Sequence, residues 1–344
     1  MNKKNLLIFG AGSIGNHMAY ASRKLKFNVD VTDISNEALD RMKNKIFPER
    51  YGKWDPKIRL ITFKEIFKIK KNYNLIIIGT PPDTHFQIFK KISNKIKYKN
   101  LLIEKPIINY ISKNYKKFND NKGRVFCGYN HSLSLAFQYF FNILKKKNKK
   151  INKICVEWKE GWTGILNAHP WLINEFHSYL GNIKKGGGAL QEHSHGLHLL
   201  LLILNLINVQ LNKKNIKYFS IIKNNKNKKK YDCYTNLTSL SKNIFIKYET
   251  DLISKKTQKK IEIETENENL ILIFNYQKNI YAVLIKRNEK IIKKKLFKKN
   301  RSTEFQREIN HINKINKYEY LKSPIYYKNG INVIKIIRQI LRNN

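Results

Sequence analysis

Short apolar runs separated by amphipathic stretches set the pattern of the first 130 residues. The run Leu6-Leu7-Ile8-Phe9 ends in Gly10-Ala11-Gly12-Ser13-Ile14-Gly15, and helical spacing follows over residues 13–26. A β-like run, Phe27-Asn28-Val29-Asp30-Val31-Thr32, stops at Asp33; a short helix to about residue 44 and a third strand at Ile58-Arg59-Leu60-Ile61-Thr62 come next. Between them, residues 47–56 carry Pro48, Gly52 and Pro56 with Tyr51 and Trp54, the composition of a surface connection with locally packed aromatics. Leu75-Ile76-Ile77-Ile78 is continuously apolar, as a strand buried on both faces requires, and it leads through Gly79-Thr80-Pro81-Pro82 into a helix over residues 83–91. Leu101-Leu102-Ile103 and residues 124–130 read as two further strands. Strands and helices alternating in this way build a doubly wound parallel sheet.

The second half keeps a different rhythm. After a helix over residues 132–145 and an alternating strand over 151–158, strands recur at 217–222, 243–248, 261–264, 270–274 and 282–285, an antiparallel series closed by a helix over 329–341. The expected architecture is an α/β domain over residues 1–124 and an α+β domain over 125–344, since 344 residues usually make two domains.

Strand, tight turn and helix around G-x-G-x-x-G is the context in which three glycines carry chemistry. The first turns the chain, the second admits a pyrophosphate against bare backbone, and the third packs helix on strand, with Ser13 and Ile14 between them. Asp33 lies about twenty residues on, placed to accept hydrogen bonds from ribose hydroxyls and to favour NAD over NADP; the alternative is a helix cap shared with Ser35. Ligands of a doubly wound sheet lie beyond the carboxyl ends of its strands, so Thr80, Pro81 and Pro82 should face the cofactor. Lys105 at the next strand end would point to where a nicotinamide lies, unless it is one more solvated lysine.

Charge alters this picture less than its size suggests. The balance of 68 basic to 25 acidic residues gives +43, the sign of a nucleic-acid binder. Only ten of the 68 are arginine, and lysine is spread with asparagine and isoleucine along the whole chain, as A/T-rich codons dictate. The densest runs, residues 145–150 and 223–230, fall where loops are expected and lack aromatics for base stacking, so no specific nucleic-acid partner is expected. With 42% hydrophobic residues the chain is globular. The apolar start breaks at Gly10, and the block over residues 196–207 is interrupted by His198 and Asn205, so neither a signal peptide nor a membrane span is expected and a cytoplasmic protein is. Cys127, Cys155 and Cys233 are too scattered for a disulfide framework or a zinc site and are expected as buried thiols.

The glycine loop, Thr80-Pro81-Pro82 with His85, Glu104-Lys105-Pro106, Gly128-Tyr129-Asn130 and Gly186-Gly187-Gly188, in this order and spacing, resemble the Gfo/Idh/MocA oxidoreductases over nearly the whole chain. The resemblance implies a Rossmann domain that binds NAD(P), with His85 and Glu104 beside the cofactor. It also implies a second domain on a large, mostly antiparallel sheet that supplies substrate contacts, Asn130 among them, and the face of a homo-oligomer, dimer or tetramer.

In that family an aspartate one helical turn before a histidine follows the glycines; the histidine is the acid/base, and the strand-end lysine hydrogen-bonds the reacting hydroxyl. Here counting from the glycines puts Glu192 at the aspartate position, whereas counting back from His195 puts Gln191 there; on a helix either shares a face with His195. A metal is not expected, because His193 and His195 point about 200° apart on a helix and only His195 and His198 share a face. A structural histidine cluster is the competing reading. Trp162 and Trp171 stand beside glycines and His169-Pro170 and suit either a sugar or a core. The reading is an NAD-dependent oxidoreductase acting on a sugar or nucleotide-sugar, of the kind found in surface-polysaccharide or acidic-sugar biosynthesis, with Lys105, His195 and Glu192 catalytic. The alternative is a catalytically silent NAD-binding regulator, or a basic nucleic-acid binder, on a Rossmann scaffold.

Overall fold

Six parallel strands form at the expected runs: β1 (Asn5–Phe9), β2 (Asn28–Asp33), β3 (Ile58–Thr62), β4 (Asn72–Ile78), β5 (Lys97–Glu104) and β6 (Arg124–Gly128). The structure is a computed structural model that describes residues 4–342 except 115–116, 119–121, 147–149, 169–171, 212–213 and 226–227. The spatial order β3-β2-β1-β4-β5-β6 reverses between β1 and β4, where a doubly wound sheet opens a crevice. Leu6 to Ile8 and Leu75 to Ile78 are wholly buried, as central strands with helices on both faces demand. Arg59 of β3 stands opposite Asp30 of β2 and forks onto both its oxygens at 3.0 and 3.1 Å, pinning that register.

Helices α1 (Ser13–Lys24), α2 (Asn36–Arg41), α3 (Phe47–Tyr51) and α4 (His85–Lys95) link these strands. The expected surface connection over residues 47–56 is corrected: a π-helical turn carries α2 directly into α3. Pro48 sits in the first turn, where its missing N–H is harmless, and Gly52 (φ 83°) ends the helix. Phe47 is buried edge-on against Tyr51 and Trp54, and Tyr51 stacks on Tyr20 of α1 at 3.9 Å. The aromatics pack as expected, but Phe47 and Tyr51 do so from a helix.

The later elements are α5 (Leu135–Lys146), β7 (Ile151–Lys159), α6 (Trp162–Ala168), α7 (Ala189–Glu192), α8 (Ser194–Leu206), β8 (Ile216–Asn224), β9 (Lys230–Ser241), β10 (Ile244–Asp251), β11 (Gln258–Thr265), β12 (Asn269–Gln277), β13 (Ile280–Arg287), β14 (Lys290–Lys298), α9 (Arg301–Lys314), α10 (Lys317–Tyr320) and α11 (Tyr327–Arg342). Strands β7 to β14 form one sheet in the order β14-β13-β12-β11-β7-β10-β9-β8, antiparallel except between β7 and β10. One face buries Ile154, Val156, Trp158, Ile246, Tyr248, Ile261, Ile263, Leu272 and Phe274. Gly196 lets α8 approach it, since a Cβ there would fall 2.8 Å from that of Trp158. The other face carries a ladder of alternating charges, Lys247–Glu249 (2.8 Å), Glu249–Lys159 (2.7 Å), Glu157–Lys260 (3.3 Å) and Lys260–Glu262 (3.0 Å).

By compactness the chain divides into one unit of residues 1–108, 112–130 and 301–331 and a second of 109–111, 131–300 and 332–344. Strand β6, which begins at the boundary expected near residue 124, is hydrogen-bonded into the first unit's sheet, and α9 and α10 belong to that unit. Tyr320 of α10 both donates to and accepts from the backbone of Val125 at 2.9 Å, covering the edge of β6. Cys127 and Cys233 are buried free thiols as expected; Cys155 is only half-buried, on the charged face. No described helix is long and apolar enough to cross a membrane.

Candidate active site

The three glycines after β1 take three separable roles. Gly10 (φ 107°) turns the chain, its N–H donating to the Thr32 carbonyl at 2.8 Å. A Cβ on Gly15 would fall 1.9 Å from the Gly10 carbonyl oxygen, so only glycine lets α1 pack there. A Cβ on Gly12 would meet nothing within 4 Å: that backbone is left bare. Buried Asn16 fixes the loop from within, donating to the Gly12 and Ala11 carbonyls at 2.9 and 3.2 Å. The half-buried Asp33 carboxylate accepts from the Ala11 N–H at 2.8 Å and the Ser35 N–H at 3.0 Å, while Ser35 itself caps α2 through the Ala38 N–H. A dinucleotide fits these residues: bare backbone at a helix N-terminus for phosphate, a carboxylate at the β2 end for ribose hydroxyls.

The ends of β4 and β5 lie side by side, with Ile78 opposite Ile103. Thr80 bonds Thr84 hydroxyl to hydroxyl at 2.7 Å; Pro81 is exposed and Pro82 buried. His85 is wholly buried, with Nε2 on the Thr80 carbonyl (2.7 Å) and Nδ1 on that of Ile107 (3.1 Å). Burial pushes this imidazole down to about 4, against the pull of those carbonyls. A backbone carbonyl stands at each nitrogen, so either tautomer of the neutral ring donates to backbone and braces the Thr80 loop. Glu104, also buried, seats its carboxyl against Gly128, where a Cβ would fall 2.7 Å from Oε2, and accepts from the Lys105 N–H at 3.3 Å. Lys105 and Asn130 are half-buried at the same carboxyl edge of the sheet.

In the second unit the Gly186-Gly187-Gly188 loop is clamped from below. Gly188 (φ 92°) leaves no room for a Cβ, which would fall 1.9 Å from Asp232 Oδ1. Asp232, wholly buried on β9, accepts from the Leu190 N–H at 2.8 Å, and burial pushes its carboxyl up to about 7. Gln191 is also wholly buried: its Nε2 donates to the Ile183 and Gly187 carbonyls at 3.0 and 2.8 Å, and its Oε1 accepts from the Tyr110 N–H at 3.0 Å. These bonds staple the loop to its surroundings. The expected continuous helix is corrected: α7 stops at His193 (φ −93°, ψ 20°), which caps α8, so Glu192 and His195 do not share one helix face.

Of the three histidines here, His193 and His198 are core residues, 3% and 1% exposed, whereas His195 is half-buried. Its ring lies edge-on to that of His131 at 4.6 Å and tilted against Trp158 at 6.2 Å. Glu192 is half-buried. Trp162, partly buried, donates its indole N–H to the Tyr231 hydroxyl at 3.0 Å and packs against the cluster of Ile165 and Leu180. Trp171, His169 and Pro170 lie outside the described residues.

Residues 4–129 match the family model described as the Gfo/Idh/MocA oxidoreductase family, NAD-binding Rossmann fold. Residues 4–129 therefore carry the NAD-binding Rossmann fold of that family. Solved structures similar to the whole chain include KijD10, a 3-ketoreductase from Actinomadura kijaniata in complex with NADP and TDP-benzene (TM-score 0.71, 9% identity, 98% of this chain and 96% of that one). Others are the UDP-N-acetylglucosamine 3-dehydrogenase GnnA from Acidithiobacillus ferrooxidans (0.67, 12%, 98% and 97%) and the aldose-aldose oxidoreductase from Caulobacter crescentus complexed with glycerol (0.72, 11%, 99% and 97%). At such identities they speak for a shared fold. No curated protein matches the chain in sequence.

Within this Gfo/Idh/MocA frame one expectation is revised. The 3-ketoreductase holds NADP, so NADP is not set below NAD. Asp232 and His131 went unnoticed in the sequence because a lone aspartate in a polar strand and a histidine after a turn carry no motif. Only the fold places them against the glycine loop and against His195.

Proposed function

We propose that the chain is an NAD(P)-dependent oxidoreductase that moves a hydride between nicotinamide and a hydroxyl-bearing or keto carbon of a sugar or nucleotide-sugar, in surface-polysaccharide or acidic-sugar biosynthesis. The observation that carries it is the carboxyl edge of the first sheet, where the bare Gly12 backbone, Asp33 and Lys105 stand at the ends of β1, β2 and β5. When bound, the nicotinamide takes up or returns the hydride. Lys105 donates a hydrogen bond to the reacting oxygen, and His195, half-buried in the first turn of α8, takes the hydroxyl proton as the C–H electron pair leaves, or gives it back in reduction. Glu192, half-buried at the end of α7, is the carboxylate nearest in sequence to that imidazole and is assigned to support it. The enzyme works in the cytoplasm as a homo-oligomer; sedimentation as a 40.9 kDa species alone would overturn the assembly.

Sugars and nucleotide-sugars screened by absorbance of the reduced dinucleotide should reveal a substrate. On it, Lys105→Ala and His195→Ala should each lower kcat about 10²–10⁴-fold with little change in dinucleotide affinity, the usual weight of a general acid or base. Near wild-type turnover in His195→Ala, with turnover lost in His193→Ala or His198→Ala, would move the base elsewhere.

A further inference from the structure

Lysine is this chain's default cation, so the ten arginines among 68 basic residues are informative in where they stand. Several are consumed by the protein itself: Arg23 by Asp55 (2.7 Å), Arg59 by Asp30 (3.0 Å), Arg124 by the Ile315 carbonyl and Arg338 by that of Tyr110 (2.7 Å). Arg50 is placed differently. Its Nη1 donates to the Ser13 hydroxyl at 3.1 Å and the Ser13 carbonyl at 3.3 Å and lies 3.4 Å from His17 Nε2, all on the first turns of α1. The stacking of Tyr51 on Tyr20 and the burial of Phe47 hold α3 where this reach is possible.

A second guanidinium comes from elsewhere in the first unit. Helix α9 packs on α1 with Phe305 stacked on His17 at 5.5 Å, and its first residue, the exposed Arg301, lies near enough to Arg50 for their charges to act on each other. Burial first, and then Arg301, makes Arg50 easier to deprotonate than a free arginine, with Tyr51 and Glu49 opposing. Two converging cations beside bare glycine backbone are what a diphosphate relieves. Guanidinium forks match phosphate oxygens bidentately, and the helix N-terminus adds its own positive end.

We propose that Arg50 and Arg301 form a clamp on the pyrophosphate of the bound dinucleotide, closing over Ser13 from α3 and α9. This rests on the dinucleotide-binding function above and adds residues no motif marks. The pyrophosphate is favoured over an adenosine 2′-phosphate because Arg50 is tied to Ser13 at the head of α1, whereas the ribose end is marked by Asp33 at the end of β2.

The test titrates NADH, NADPH, ADP and adenosine onto full-length wild type, Arg50→Gln and Arg301→Gln, with thermal melts as a folding control. Each substitution should weaken NADH, NADPH and ADP alike, about ten-fold, and leave adenosine unchanged. It should also flatten the salt dependence of ADP binding. Arg301 is exposed at a helix start, so its variant reads the clamp even if Arg50→Gln fails to fold. Wild-type binding that neither substitution weakens overturns the clamp alone, as does a loss confined to NADPH, which would assign the arginines to the 2′-phosphate. A wild type that binds neither reduced dinucleotide overturns the cofactor function, and the clamp with it.

Discussion

Asp33 and Glu308 show how differently two carboxyl groups of one domain are placed. Asp33 bridges the glycine loop and the start of α2 at the end of β2; if its carboxylate is what meets the ribose, Asp33→Ser should shift the ratio of NADH to NADPH affinity toward NADPH by about ten-fold or more in fluorescence titrations. Glu308 of α9 is wholly buried, and burial, with Glu104 and Glu304 nearby, holds its carboxyl well above the usual range. The sign follows from the raised value. Below about pH 4.3 the group is protonated folded or unfolded and costs nothing; as pH rises, only the unfolded chain releases the proton, so the fold loses about 1.4 kcal/mol per pH unit until the folded value is passed. Glu308→Gln should therefore gain on wild type in melting temperature as pH rises above about 4.3 and level with it near pH 4. A constant offset across that range would show the carboxyl to be paired. At the other loop, Glu192→Gln should lower kcat, whereas Gln191→Ala should chiefly lower Tm, because Gln191 spends its amide on backbone.

At the scale of elements, apolar runs were the legible signal and polar strands the illegible one. β1, β4 and β5 announce themselves because a strand covered on both faces must be apolar throughout. β9 escapes notice because Asp232, Thr235 and Ser239 fill inward positions where aliphatic residues would be expected, and β14 because an exposed edge strand is best loaded with lysine. α3 was hidden by Pro48 and Gly52, which read as loop residues unless one knows that they stand at a helix start and a helix end. The α7 to α8 break at His193 was equally invisible, since nothing in Gln191-Glu192-His193-Ser194-His195 forbids a continuous helix. The clamp under this segment is testable: Gly188→Ala should lower Tm by several degrees and kcat with it, since φ near +92° and a carboxylate oxygen 1.9 Å from the new Cβ both oppose it. In an Asp232→Gly background the same change should cost less, because only the backbone strain remains.

For the molecule as a whole, the +43 charge and the fold are nearly independent facts. The ladder on one face of the second sheet pairs lysine with glutamate, and most of the remaining lysines have no such partner in number, since basic residues outnumber acidic ones 68 to 25, so weak polyanion binding at low salt is expected to vanish by physiological ionic strength as counterion release loses its drive. Selective binding that persists at about 0.15 M salt in a filter or anisotropy assay would make nucleic acid a true partner. The sequence by itself determined the parallel α/β first sheet, the glycine loop with Asp33, the strand-end lysine and the antiparallel character of the second half, because backbone turns and two-sided burial impose local patterns of residue type. Tertiary structure alone decided which amide is spent inside the protein, which histidine reaches the surface, that α9 returns to the first unit, and that Arg50 and Asp232 stand at the two glycine loops. Those facts depend on contacts between residues tens to hundreds of positions apart, and no local pattern encodes them.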